Sequence, residues 1–186
     1  MQPRNYYYFV ATLPWLNYGE KPPLSSGDFR EQCKAMLDPE DAALLRYCCF
    51  DPVLAIETVK STGSEFVDRL LERERTLIFN MACLRAAKLK RPAPGIPPHD
   101  IPRTEAVAKA VVEMEDPLEA ELYMDQSRWV ALDEMVGIDL FGLNNIFAFL
   151  LKLQLMERRQ LFEVERGQTA YRELYGKILN EYNSRV

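Results

Sequence analysis

Histidine occurs once in the chain, at His99. A site that needs two imidazoles, such as a histidine-rich zinc centre or a two-histidine iron site, is therefore excluded. His99 is also the one side chain whose ordinary pKa suits proton transfer near neutral pH. It lies among prolines, which neither bury nor orient a ring. The four cysteines, Cys33, Cys48, Cys49 and Cys83, form no C-x-x-C pair, and the neighbours Cys48 and Cys49 could join only with strain. They read as reduced thiols of a cytoplasmic protein. The eight glycines are scattered, and no dinucleotide fingerprint, phosphate loop or G-x-S-x-G elbow is present. Glu113, Glu115 and Asp116 are acids close enough to hold a hard cation, although the spacing is not that of an EF-hand. These residues predict no catalytic group, no cofactor and no metal, and a chain whose work is done by its shape.

Charge carries more information than reactive groups do. The chain has 23 basic and 28 acidic residues, a net −5, which argues against a nucleic-acid footprint. Between positions 105 and 139 stand ten acids and two bases, whereas 151–186 holds seven bases and five acids. Glu113, Glu119 and Glu121 are the acidic candidates for facing a basic partner. An ordinary solvated face is the plainer account of them.

Apolar residues recur at three and four throughout, so the expected fold is all-α. Phe29, Cys33, Met36 and Leu37 form one short face, and Leu44, Leu45, Cys48 and Cys49 another. Asp-Pro occurs three times ahead of such runs, at Asp38-Pro39, Asp51-Pro52 and Asp116-Pro117. Asp caps the first free N–H groups, and Pro at the first helical position gives up a donor that would be unpaired anyway. The longest helix is expected over about 64–90, on a stripe of Phe66, Leu70, Leu77, Met81 and Leu84 flanked by Val67, Leu71 and Ile78. The charges of LLERERT read as its solvated side. A second helix follows Pro117, with Leu118, Leu122, Trp129, Leu132 and Val136 in phase and Gly137 placed to end it. A third, over about 144–166, is apolar nearly all round in its first half and should be the central buried helix. A last helix places Tyr171, Leu174, Tyr175, Ile178, Leu179 and Tyr182 on one side. The opening YYYFV has strand-like composition but no partner strand, so it is expected as an aromatic helix or extended segment docked on the core.

Five of the twelve prolines fall within 91–102, where consecutive prolines forbid a helix. The expected organisation is an antiparallel bundle of two helical units, 1–90 and 104–186, within one compact domain and joined by a proline-rich linker over 91–103. The most apolar window, 146–156, is about half the ~20 residues that a membrane span needs.

Two segments stand out. In RTLIFNMACLRAAKLKR a polar Asn80 interrupts an apolar helix, which implies either a side-chain partner or a position on the helix edge in water. In FAFLLKLQLMERRQLFEVERGQ, Glu157 follows directly on the buried run, where a guanidinium from a neighbouring helix would pair with it. Arg158 and Arg159 are its sequence neighbours and point away from it.

At these two places the chain resembles the C (also called d) subunits of V-type and A-type ATPases. The matching residues are Asn80, Leu84, Arg85, Ala86 and Lys88 in the first window. In the second they are Leu150 and Leu151, then Glu157, Arg159, Leu161, Arg166 and Gly167. Gln160, Phe162 and Gln168 depart from that pattern. The opening YYYFVATLPWLNYGEKPPLSSGDF looks like that of a poorly characterised bacterial family associated with V-type ATPases.

The resemblance implies a shortened, non-catalytic helical adaptor without an active site. In that family the subunit sits on the membrane rotor ring and receives the end of the central shaft, passing torque between ring and catalytic head. The shaft and ring subunits would be its partners, and it would be cytoplasmic and peripheral on the inner membrane through the complex, with no span and no nucleic acid bound. Asn80, Leu84, Arg85, Glu157, Arg159, Leu161, Arg166 and Gly167 would then serve packing or partner contact. A helical scaffold with an unrelated partner is the alternative, and a small metal-dependent all-α enzyme using the acids of 113–121 is a further one.

Overall fold

The computed structural model describes residues 6–92, 95, 101, 103–138 and 141–162, and all regular structure among them is helical. The helices are α1 (Tyr7–Ala11), α2 (Ser26–Met36), α3 (Pro39–Leu44), α4 (Pro52–Glu57), α5 (Glu65–Lys88), α6 (Thr104–Glu113), α7 (Pro117–Val136) and α8 (Leu143–Leu161). The expected last helix, His99 and most of the proline-rich stretch lie outside the described residues.

Each Asp-Pro pair starts a helix. The carboxylates of Asp51 and Asp116 accept from the N–H groups of Val53 and Leu118, and Asp38 occupies the same position ahead of α3. Ser64 caps α5 by accepting from Val67 N, and Gly137, with φ +66°, closes α7 in a conformation that suits glycine. At the start of α5 the Asp68 carboxylate accepts from Ser61 Oγ, Thr62 N and Thr62 Oγ1 at 2.6–2.8 Å. Partial burial works against its charge, yet those three bonds hold it below the usual carboxylate range.

Two apolar clusters form the interior. The larger joins Val10, Phe29, Cys33, Leu45, Phe66, Leu70 and Leu132 to the apolar face of α8. From Ile146 to Leu151 every side chain of α8 is buried, as its all-round apolar sequence predicts. Phe29 is central, with the ring of Phe149 at 4.7 Å and that of Phe9 at 5.8 Å. The smaller cluster consists of Leu77, Met81, Val107, Ala108, Val111, Ala120 and Met124. Helix α5 belongs to both, its first half to the larger and its second to the smaller. Both clusters draw on residues from either side of 91–103.

The opening segment docks as a short helix: Val10 is buried, and the Tyr6 hydroxyl donates to Asp41 at 2.5 Å. Two details differ from the periodicity. Met36 is 58% exposed because the buried line of α2 runs Phe29, Cys33, Leu37 in steps of four. The run of Leu44, Leu45, Cys48 and Cys49 is not one helix, because α3 ends at Leu44 and passes through a 3-10 turn, Leu45–Tyr47. The carbonyls freed there are taken by side chains. Arg30 donates to Leu45 O at 2.5 Å and to Cys48 O at 3.1 Å, and Gln154 Nε2 donates to Cys48 O at 2.9 Å. Arg75 closes the end of α4 in the same way, on Ala55 O and Thr58 O. Buried backbone acceptors need such partners.

Cys33 and Cys48 are fully buried, while Cys49 and Cys83 are only partly so, and no disulfide joins them. Burial pushes the Cys33 thiol up to about 12 and that of Cys48 up as well, with Arg30 opposing both. In the native protein at mildly alkaline pH, a soluble thiol reagent should label Cys49 and Cys83 at least about tenfold faster than Cys33 and Cys48. Equal labelling of all four, read by peptide mapping, would contradict this packing.

Candidate functional site: a buried ion network

Between the two apolar clusters lies a layer of charge. On α5 the stripe runs from Leu70 and Leu71 to Leu77, and the turn between them presents Arg73 and Glu74, which are 7% and 4% exposed. This corrects the expectation of a solvated side for LLERERT: the turn that would complete the stripe is ionic and faces inward. On α7 the equivalent turn between Leu122 and Trp129 supplies Asp125, fully buried, and Arg128, 7% exposed. Helix α8 contributes Arg158, just past its buried run.

Glu74 is the hub. Its Oε1 accepts from Arg73 Nη1 at 2.9 Å, and its Oε2 accepts from Arg128 Nη2 and Nε at 2.7 and 3.1 Å. Arg128 Nη1 also donates to Asp125 Oδ1 at 2.9 Å. The other carboxylate oxygen, Oδ2, lies 3.3 Å from Arg158 Nε, an ion pair without an aligned hydrogen bond among the described residues. Arg158 continues to Glu121 at the surface. At the opposite end Arg73 Nη2 reaches Ser127 Oγ at 2.8 Å. The ring of Phe50 lies 4.9 Å from the Arg128 guanidinium. Three arginines thus meet three carboxylates, so the layer is formally neutral.

Burial sets the electrostatics. It lowers the Arg73 pKa, with Arg128 adding repulsion and Glu74 opposing. It pushes the Asp125 carboxyl up, against the pull of Arg158 and Arg128. Arg128 is buried too, yet Glu74 and Asp125 together hold it above its ordinary value. The arrangement is a clamp across α5, α7 and α8. Its groups point at one another, and at its surface end Glu121 also lines a groove beside α6 and the start of α7.

The residues singled out in the sequence occupy separate interfaces. Asn80 is half-buried and donates through Nδ2 to Thr104 Oγ1 at 3.3 Å, tying α5 to the first residue of α6. Leu84 packs on the smaller cluster and Arg85 is exposed. Among the described residues Glu157 meets no guanidinium. It accepts from Ser26 N at 2.6 Å and Ser26 Oγ at 2.5 Å, at the start of α2, where unpaired N–H groups and the helix dipole favour a carboxylate. Arg159 lies over the Tyr18 ring at 4.9 Å, beside Gly19, in a 240 Å³ hollow that includes Lys21 and Leu122. Leu161 is 72% exposed, and Arg166 and Gly167 lie outside the described residues. Of the acidic candidates, Glu113 and Glu119 face solvent, whereas Glu121 is engaged by Arg158. Among the described residues no group of three or more metal-ligating side chains forms a cation site. No helix among them is long and apolar enough to cross a membrane.

Residues 98–182 match a family of proteins of unknown function (DUF2764). The match takes in α6, α7 and α8, and with them Glu121, Asp125, Arg128 and Arg158, but not Arg73 or Glu74 on α5. No curated protein and no solved structure matches the chain.

Glu74→Gln should destabilise the protein by about 3 kcal/mol, because it leaves Arg73 and Arg128 buried without their shared anion. Urea unfolding measures this, and a change under about 1 kcal/mol would mean the network is not a clamp. Asp125→Asn isolates a pH effect. In the unfolded chain Asp125 ionises near pH 3.9, but in the folded protein only at a higher value. The folded state therefore holds this proton more tightly, and the contribution is full below pH ~3.9 and lost as pH rises through the folded pKa. The stability of the parent protein relative to Asp125→Asn should thus fall as pH is raised from about 4. A difference that rises with pH would reverse the assignment.

Proposed function

We propose that the chain is a non-catalytic helical adaptor of a V-type ATPase, in the manner of the C (d) subunit that couples the central shaft to the membrane ring. The observation that carries the mechanical part is the buried clamp of Glu74, Arg128, Asp125 and Arg158, which fixes three helices against one another. A device that passes force between two partners needs a body that does not shear, and α5, at 24 residues about 36 Å long, runs through both apolar clusters. An ionic layer with one satisfying arrangement opposes sliding more than an apolar seam does, since slipping one residue would strand a buried charge.

The link to the ATPase rests on the resemblance at Asn80–Lys88 and at Leu150–Gly167. It is supported by the use of two of those residues, Asn80 and Glu157, as ties between helices. The protein would then be cytoplasmic and held at the inner membrane through its complex. A scaffold with an unrelated partner is favoured by a different feature. A 540 Å³ groove edged by Trp15, which is 87% exposed, and floored by Leu13, Trp129 and Phe149 leaves aromatic surface in solvent.

Affinity purification of the tagged full-length chain from its native cell separates the two. The shaft and ring subunits of the ATPase should co-purify in comparable molar amounts. Recovery of the chain without either of them would reject the ATPase reading.

A further inference from the structure

The hollow at Arg159 lies where the end of α8 meets the first turns of α7 and the bend at Gly19, and its volume is about 240 Å³. Leu118, Leu122, Met156 and Phe162 line it with apolar surface, and Arg159 and Lys21 bring positive charge to it. The Arg159 guanidinium is held by two neighbours. It lies over the Tyr18 ring at 4.9 Å, and that ring is itself fixed, by the hydroxyl donating to Leu122 O at 3.1 Å and by Trp129 at 5.4 Å. The backbone of Gly19, with φ +98°, comes so near that a Cβ there would sit 3.7 Å from Arg159 Cζ.

What Arg159 lacks is a counter-ion. Its sequence neighbour Arg158 meets two carboxylates, those of Glu121 and Asp125. Among the described residues no carboxylate pairs with half-buried Arg159 or with Lys21, which is exposed at the rim. Glu20 also borders the hollow, but its Oε2 accepts from Asn17 Nδ2 at 3.2 Å. Burial raises the pKa of the Tyr18 hydroxyl, and the Arg159 charge opposes that rise. A guanidinium stacked on an aromatic ring keeps its edge N–H donors for a planar anion, which it can bind through two parallel bonds. The apolar lining beside that fork favours an acid with a hydrocarbon body over a hydrated inorganic ion. The volume is just below the roughly 300 Å³ at which drug-sized sites begin, so the body is a single ring or a short chain.

We propose that this hollow is a binding site for a small organic monocarboxylate. The carboxylate takes the edge of Arg159, Lys21 adds charge at the rim, and the apolar body lies against Leu118, Leu122, Met156 and Phe162. None of the ionic side chains of the buried clamp lines the hollow, so the ligand leaves that network in place. The site goes beyond the adaptor reading and does not depend on it.

The test titrates para-fluorophenylacetate against the purified full-length protein at low salt, with binding read by fluorine NMR. The acid should bind with a Kd of about 1 mM or tighter, and more weakly as salt is added. Its amide, para-fluorophenylacetamide, has the same ring without the charge and should bind at least about tenfold more weakly. Arg159→Gln should weaken the acid about tenfold and Lys21→Gln about threefold, with the amide unmoved by either. Circular dichroism checks that the variants are folded. Should Arg159→Gln fail to fold, the acid-against-amide comparison on the unaltered protein and the exposed Lys21→Gln still decide. Absence of binding up to about 10 mM acid would overturn the proposal. So would equal affinity for acid and amide, an affinity unchanged in folded Arg159→Gln, or displacement of the acid by inorganic phosphate at the same concentration. Each of these failures leaves the adaptor reading standing, because that reading is judged by what co-purifies with the chain.

Discussion

The contact between Glu74 and Arg128 is the one on which the rest of this architecture depends. It is made between helices α5 and α7 at the seam of two apolar clusters, where both side chains are more than nine-tenths buried. Removing an ion from water costs several kcal/mol, and attraction repays that only when every partner is in place. Glu74 therefore needs Arg73 and Arg128, Arg128 needs Asp125, and Asp125 needs Arg158. The chain of requirements ends only at Glu121, where the network meets solvent. Such a layer adds little net stability over well-packed leucines, but it admits one register of the three helices.

Polar side chains hold the margins of the fold by a related logic. The 3-10 turn after α3 and the end of α4 present carbonyls with acceptor capacity to spare, and Arg30, Gln154 and Arg75 reach across to them. The start of α2 presents the opposite problem, free N–H groups, and Glu157 answers it. Among the described residues the groove at Trp15 is a surface that this logic leaves open, with aromatic side chains in solvent.

Much of the fold was legible because local physics decides it. An Asp before a Pro starts a helix wherever it stands, a Ser before a capped turn does the same at Ser64, and Gly137 can end a helix at a positive φ that other residues resist. Helix α8 announced its position through apolar residues on every side. The ion network was less legible, although it left a trace. The apolar stripes of α5 and α7 each skip one turn, and the skipped turns hold Arg73 and Glu74 on one helix and Asp125 and Arg128 on the other. A charge in a stripe position looks like a charge on a wet face until the partner helix is known to bring the opposite sign to the same level.

The amino-acid order by itself determined the helical class, where most helices begin, and which faces are oily, since these follow from dihedral preference, capping and periodicity within a few residues. Only the tertiary structure decided which charges are buried and which are free. That choice separates Glu121 from Glu119, and it set Glu157 on the backbone N–H of Ser26. The physical reason is that the cost of an ion depends on what surrounds it in three dimensions, and those surroundings come from residues tens or more than a hundred positions away.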